Sequence, residues 1–135
     1  MSDRVQGLSS LIGRILLVAI FLSSGFNKLF NWSQTAAYME SKGMPMVPLF
    51  LAAAMIILIV GGLSVLLGYL TRLGAAALIV FLIPTSIIFH GFWSVEAAQV
   101  QQQTIHFMKN MGLMGGLFLL IAHGPGRYSL DSRRR

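Results

Sequence analysis

The run Met44 to Phe92, MPMVPLFLAAAMIILIVGGLSVLLGYLTRLGAAALIVFLIPTSIIFHGF, decides the fold, because Arg72 is its only Asp, Glu, Lys or Arg. One helix of that length would be more than twice as long as the ~30 Å hydrocarbon core of a bilayer. The chain must therefore turn back, and Gly68-Tyr69-Leu70-Thr71-Arg72 is where glycine and charge interrupt the run. Two apolar helices are predicted, about 48–67 and 73–92, joined by a tight turn.

The flanks repeat the pattern. Upstream, residues 11–28 form an apolar run that is interrupted by Gly13, Arg14 and Ser23-Ser24-Gly25 and ends on Asn27 and Lys28. A basic start followed by small residues also resembles a secretion signal, but Arg14 lies inside the run and three more spans follow, so this span is read as retained. Downstream, 105–122 is apolar and stops at Gly124-Pro125-Gly126, a strong helix terminator. All four runs are too long and too evenly apolar for barrel strands, in which lipid-facing residues alternate. The expected fold class is all-α, a transmembrane antiparallel four-helix bundle, with one domain over residues 1–135 and a tail at 123–135.

Composition agrees. Of 135 residues, 56% are hydrophobic and only 10% charged, against the roughly 25% charged residues of a soluble domain. This excludes an ordinary soluble enzyme, a disordered tail and a nucleic-acid-binding module, despite the net charge of +6. The basic residues instead read as span-end anchors that set orientation and meet anionic headgroups. With four spans, Arg4, Arg14, Arg72, Arg127 and Arg133 to Arg135 gather on one side and Lys28, Lys42 and Lys109 on the other. The positive-inside rule then predicts both termini in the cytoplasm of a bacterial inner (plasma) membrane, multi-pass. The absence of cysteine excludes disulfides, thiolate metal sites and a thiol relay built from this chain.

Polar residues near the hydrocarbon are costly and mark candidate sites. They concentrate at the outer span ends: Asn27 and Lys28, then His90 and Trp93, then His106, Lys109 and Asn110, the last three on one helical face. One reading is a ligand-binding outer pocket in which lysines supply positive charge and histidines donate hydrogen bonds or carry protons, suited to a quinone carbonyl or a small anion. The plainer reading is that the lysines snorkel to headgroups and the histidines cap helix ends. His90 and His106 also meet the minimum for bis-histidine haem, but both sit at span ends and His123 belongs to the opposite side, which argues against haem. Met39, Met44 and Met46 cluster outside a span, yet methionine is more often core filler than a copper ligand, so no metal site is expected.

The remaining features read as structure. Gly61, Gly62, Gly112, Gly115 and Gly116 suit close helix packing, and Pro84 with Thr85 and Ser86 should bend the third span. Residues 31–43, with Trp32 and Tyr38, predict a short interfacial helix capped by Ser33. Arg14 lies one turn inside its span, from which it can reach headgroups or a polar group near Arg72. Asp3, Glu40, Glu96 and Asp131 all fall in loops or tails, so no internal carboxylate pathway for protons or cations is expected.

Together these motifs resemble the DoxX family of small four-helix integral membrane proteins. The likeness rests on Gly13-Arg14-Ile15-Leu16, Phe21 and Gly25-Phe26-Asn27-Lys28-Leu29 in the first span, and on Gly61-Gly62-Leu63 through Gly68-Tyr69-Leu70-Thr71-Arg72. It continues through His90-Gly91-Phe92-Trp93, Phe107-Met108-Lys109-Asn110, Gly115-Gly116, and Gly124-Pro125-Gly126 to Ser129-Leu130-Asp131. The resemblance implies an inner-membrane bundle of the kind associated with quinone-linked sulfur oxidation and terminal oxidases, or with oxidoreductase assemblies. Many such relatives carry a glutamate just before the Gly-Gly of the second span. Here Leu58, Ile59 and Val60 stand in that stretch, so no mechanism through that carboxylate carries over.

Two functions follow as expectations. One is a redox-associated, quinone-linked membrane subunit, without a self-contained catalytic motif, whose partner protein supplies electrons. The other is a non-enzymatic scaffold or assembly factor for partner membrane proteins. A transporter is the weakest reading, because four short spans offer a pathway only as a homo-oligomer. The expected partners are thus the lipid bilayer, a redox protein and a second copy of the chain, with no nucleic acid.

Overall fold

The computed structural model describes residues 1–134. Helix α1 covers Asp3–Phe30, longer at both ends than the apolar run that announces it. Ser2 caps it, its Oγ accepting from the Val5 N–H at 3.2 Å, and Asp3 places negative charge at the positive end of the helix dipole. Helix α2 (Trp32–Ser41) follows at once. Its boundary residue is Asn31, and Ser33 lies inside the first turn, so the expected cap at Ser33 is corrected. Asn31 donates back to the Asn27 carbonyl and Oδ1 at 3.1 and 2.9 Å, which diverts its side chain from capping α2. Tyr38 stacks on Phe89 with ring centroids 5.5 Å apart, and Met39 joins Val47 and Leu51 in a small buried cluster that fixes α2 against the bundle.

Helix α3 (Val47–Leu67) opens with Pro48 in its first turn, where the missing N–H costs nothing. At Ile57–Gly61 it widens into one π-turn before resuming as regular helix. Leu58, in this stretch, is fully buried in the core. Gly68 (φ +68°) and Leu70 (φ +49°) then reverse the chain in three residues. Helix α4 (Thr71–Phe89) runs through Pro84 without a break in the helix, and Thr85 Oγ1 donates to the Phe81 carbonyl at 2.8 Å beside it. Helix α5 (Ala97–His123) starts eight residues ahead of the apolar run, because Ala97, Ala98 and the glutamines that follow are good helix formers outside the hydrocarbon. It stops at Gly124 (φ +79°), and a last turn, α6 (Leu130–Arg133), closes the described chain.

Thus α1, α3, α4 and α5 are long and apolar enough to cross a membrane, and no strand occurs among the described residues. The core joins Val18 and Phe21 of α1, Leu58 and Val65 of α3, Leu78 and Leu82 of α4, and Leu117 of α5. Leu117 is the single fully packed residue of α5, so that helix lies at the edge of the bundle. Glycines set two of the close approaches: a Cβ on Gly25 would stand 2.7 Å from Ile59 Cγ1 at the π-turn, and one on Gly62 would stand 2.7 Å from Leu22. Gly112 and Gly115 do not serve packing within the chain as expected, because a Cβ on either would meet no atom within 4 Å.

Candidate functional site

The helices run alternately up and down, so polar groups collect at two ends. The loop end carries the 31–46 connection and the 90–96 loop. The tail end carries the start of α1, the Gly68–Leu70 turn and residues 124–134.

At the loop end, His90 at the end of α4 and His106 on the second turn inward of α5 stack with ring centroids 4.9 Å apart. His90 Nδ1 lies 2.9 Å from Gln103 Oε1, one turn before His106, a contact in which the Nδ1–H tautomer donates to the amide oxygen. One turn further in, Asn110 Nδ2 donates to the buried Ser86 Oγ at 3.0 Å, tying α5 to α4 beneath the histidines. Beside them Trp93, Phe92 and Phe107 pack edge to face, with centroids 5.2 to 5.6 Å apart. Trp93 stays 58% exposed. Lys109 is exposed on the same helix. Of the seven residues expected to line an outer pocket, His90, His106, Asn110 and Trp93 are therefore held on the α4–α5 side. Asn27 and Lys28 make their hydrogen bonds within α1 and its following residue, Lys28 Nζ donating to Ser24 Oγ at 3.0 Å.

At the tail end, Arg14 is 2% exposed. Of the two expected partners, headgroups or a polar group near Arg72, it takes the second kind, beside the α3–α4 turn. Its guanidinium donates to the Val65 and Leu66 carbonyls at 3.0 and 2.8 Å and to the Tyr128 carbonyl, bridging α1, the last turn of α3 and the tail. Those α3 carbonyls are among the four that a helix end leaves without partners, and a cation is favoured there. Among the described residues, Arg14 Nε finds no acceptor.

Asp131 performs the complementary task. Helix α4 begins after Leu70, which has no side chain able to cap it. The Asp131 carboxylate accepts from the Leu70 N–H (2.8 Å), the Thr71 N–H (2.9 Å) and the Thr71 hydroxyl (2.6 Å). Partial burial pushes this carboxyl up, but these donors and the nearby Arg134 guanidinium outweigh it and hold it below the usual carboxylate value. Arg72 Nε donates to the Ile121 carbonyl at 2.7 Å, so the α3–α4 turn is fastened to both α5 and the tail. Arg14 and Asp131 were legible only as an inward arginine and a tail acid. The available signal was the uncapped start of α4 after Leu70, which requires a donor-seeking group from elsewhere in the chain.

A cleft of about 410 Å³ opens at this end between the start of α1 and the Gly124–Arg127 hairpin, lined by Asp3, Gln6, Ser10, His123 and Arg127 among others. A smaller one of about 240 Å³ lies across the hairpin, toward Asp131 and Ser132.

Four helices long and apolar enough to cross a membrane, with a hydrogen-bonded polar cluster at each end, define a small multi-pass helical membrane protein. The chain belongs to the DoxX family, whose model matches residues 9–91. The SURF4 family model matches residues 53–135. Among relatives, the inner membrane protein YphA of Escherichia coli is 36% identical, over 91% of this chain and 88% of its own length. The inner membrane protein YqjF of the same organism is 33% identical over 95% and 93%. The membrane protein Rv3486 of Mycobacterium tuberculosis is 29% identical over 89% and 77%. No solved structure gives a significant match. This is accordingly a multi-pass inner-membrane protein in contact with the lipid bilayer.

Proposed function

We propose that this DoxX-family protein is the membrane subunit of a quinone-linked redox assembly, with the quinone head resting against the loop end of α4 and α5. The observation that carries this reading is the His90–His106 stack, with Gln103 Oε1 2.9 Å from His90 Nδ1. Imidazoles placed there can exchange protons with a quinol hydroxyl or a reduced carbonyl oxygen. Lys109, on the same helix as His106, stabilises negative charge on that oxygen, and the exposed Trp93 offers an aromatic contact to the ring. The donor set fits a quinone, which needs hydrogen bonds at its carbonyls and an apolar slot for its ring. Electrons pass through a partner protein, since a chain without cysteine supplies no thiol couple.

His90→Ala and Lys109→Ala should each lower the affinity for a ubiquinone analogue about tenfold or more in the purified protein, with the thermal midpoint unchanged within a few degrees. Unaltered affinity in both variants rejects the assignment.

A second reading, a scaffold or assembly factor, draws support from α5, in which Leu117 alone is fully buried and Met108, Met111, Phe118 and Leu119 are exposed. It expects a stoichiometric membrane-protein partner on mild extraction and no retained quinone. In either case the seven arginines of the tail end favour placing both termini in the cytoplasm.

A further inference from the structure

The tail end holds seven of the ten basic residues and two of the four acids, so nearly all of the net charge of +6 resides there. Part of this charge is already engaged: Arg14 and Arg72 donate to carbonyls, and Asp131 caps α4. Arg127 is different. It is exposed, its guanidinium lies over the Tyr128 ring at 5.3 Å, and its methylenes lie against Gly7, where a Cβ would stand 2.5 Å from its Cγ. It thus reaches across the mouth of the 410 Å³ cleft, which also presents the Gln6 amide, the Ser10 hydroxyl and the His123 imidazole. A cleft lined by one guanidinium and three further hydrogen-bonding side chains suits a phosphate group.

Two details narrow the ligand. Asp3 lines the same cleft, so a second negative charge on the guest would be repelled and a phosphodiester is favoured over a phosphomonoester. One turn beyond Ser10 toward the bilayer centre, Gly13 leaves bare backbone, with nothing within 4 Å of where a Cβ would stand. Ile12 and Leu16 beside it are exposed, as is Leu119 one turn from His123 on α5. A head site that opens onto an apolar strip suits a molecule with acyl chains, and a basic pocket between transmembrane helices is a recognised setting for lipid headgroups.

We propose that this cleft binds one anionic glycerophospholipid of the leaflet at the tail end, with its phosphodiester on Arg127 and its acyl chains along the Gly13 strip. The test uses the whole protein in mild detergent, titrated with phosphatidylglycerol, phosphatidylcholine or inorganic phosphate and read by native mass spectrometry. One phosphatidylglycerol per chain should be retained at least tenfold more strongly than phosphatidylcholine. Arg127→Gln should abolish that preference, while Arg133→Gln, which removes the same charge at the same end, should leave it within twofold. Gly13→Leu should weaken lipid retention by filling the strip. Equal retention of both lipids, or equal losses in the two arginine variants, overturns the site in favour of diffuse surface charge. Displacement of the lipid by millimolar inorganic phosphate overturns the lipid assignment in favour of a free anion. Should Arg127→Gln fail to fold by circular dichroism, Gln6→Leu at the rim carries the same comparison, and unchanged retention in it rejects the site.

Discussion

Arg14 and Asp131 divide one problem between them: the α3–α4 turn exposes the carbonyl end of one helix beside the N–H end of the next. The guanidinium is planar with several donors in a fixed fork, so it joins three carbonyls from two segments, the end of α3 and the tail, a geometry that an ammonium on a flexible stem does not match. Arg14→Lys should therefore destabilise the protein by about 1–3 kcal/mol through carbonyls left unpaired, measured as a lower melting midpoint in detergent. Asp131→Asn should cost about 1 kcal/mol, the usual worth of a helix cap. The pH dependence follows from the lowered value of Asp131. The stability it confers is complete above the ordinary carboxylate value near 3.8 and is lost as pH falls through the lowered folded value. The melting midpoint of the wild type should thus fall on acidification below about pH 4 more steeply than that of Asp131→Asn. Equal slopes would remove Asp131 as the cap. Neither role was evident from residue type alone, because each partner lies more than fifty positions away in the chain.

Among the elements, the glycines separate into two kinds. Gly25 faces the π-turn with Ile59 at 2.7 Å, so Gly25→Ala forces the helices apart and should cost about 1–3 kcal/mol. Gly112 meets nothing, and alanine there should raise stability by up to about 1 kcal/mol through helix propensity. Thermal melts of the two variants check both signs, and a large loss in Gly112→Ala would mean that α5 is covered by another protein. The four crossings were legible because twenty apolar residues in a row leave few alternatives to a membrane helix. Their ends were not, since Asp3 to Ser10 and Ala97 to Thr104 are polar enough to look like loops yet continue as helix in water. The π-turn was not legible either: Ile57 to Gly61 is apolar and helix-compatible, and only its contacts with Gly25 reveal that an extra residue is accommodated. Of the candidate site, the helical spacing of His106, Lys109 and Asn110 was readable. The pairing of His106 with His90 depends on how α5 lies on α4, which spacing within one helix does not fix.

The molecule as a whole is asymmetric in charge from end to end, and this is its strongest global property. With the termini cytoplasmic, a cysteine introduced at Gln101 should react with a membrane-impermeant maleimide in intact cells, and one at Ser132 only after permeabilisation; the reverse pattern would invert the bundle. The native chain has no cysteine, so the labelling has no background. The tail closure also bears on the order of synthesis. Arg14 leaves the ribosome more than a hundred residues ahead of Tyr128, and α4 starts sixty residues ahead of Asp131. A nascent chain therefore enters the bilayer with an arginine and a helix start still waiting for their partners. The tail end of the bundle can close only after residues 128–131 have emerged, which makes that segment a late checkpoint of assembly.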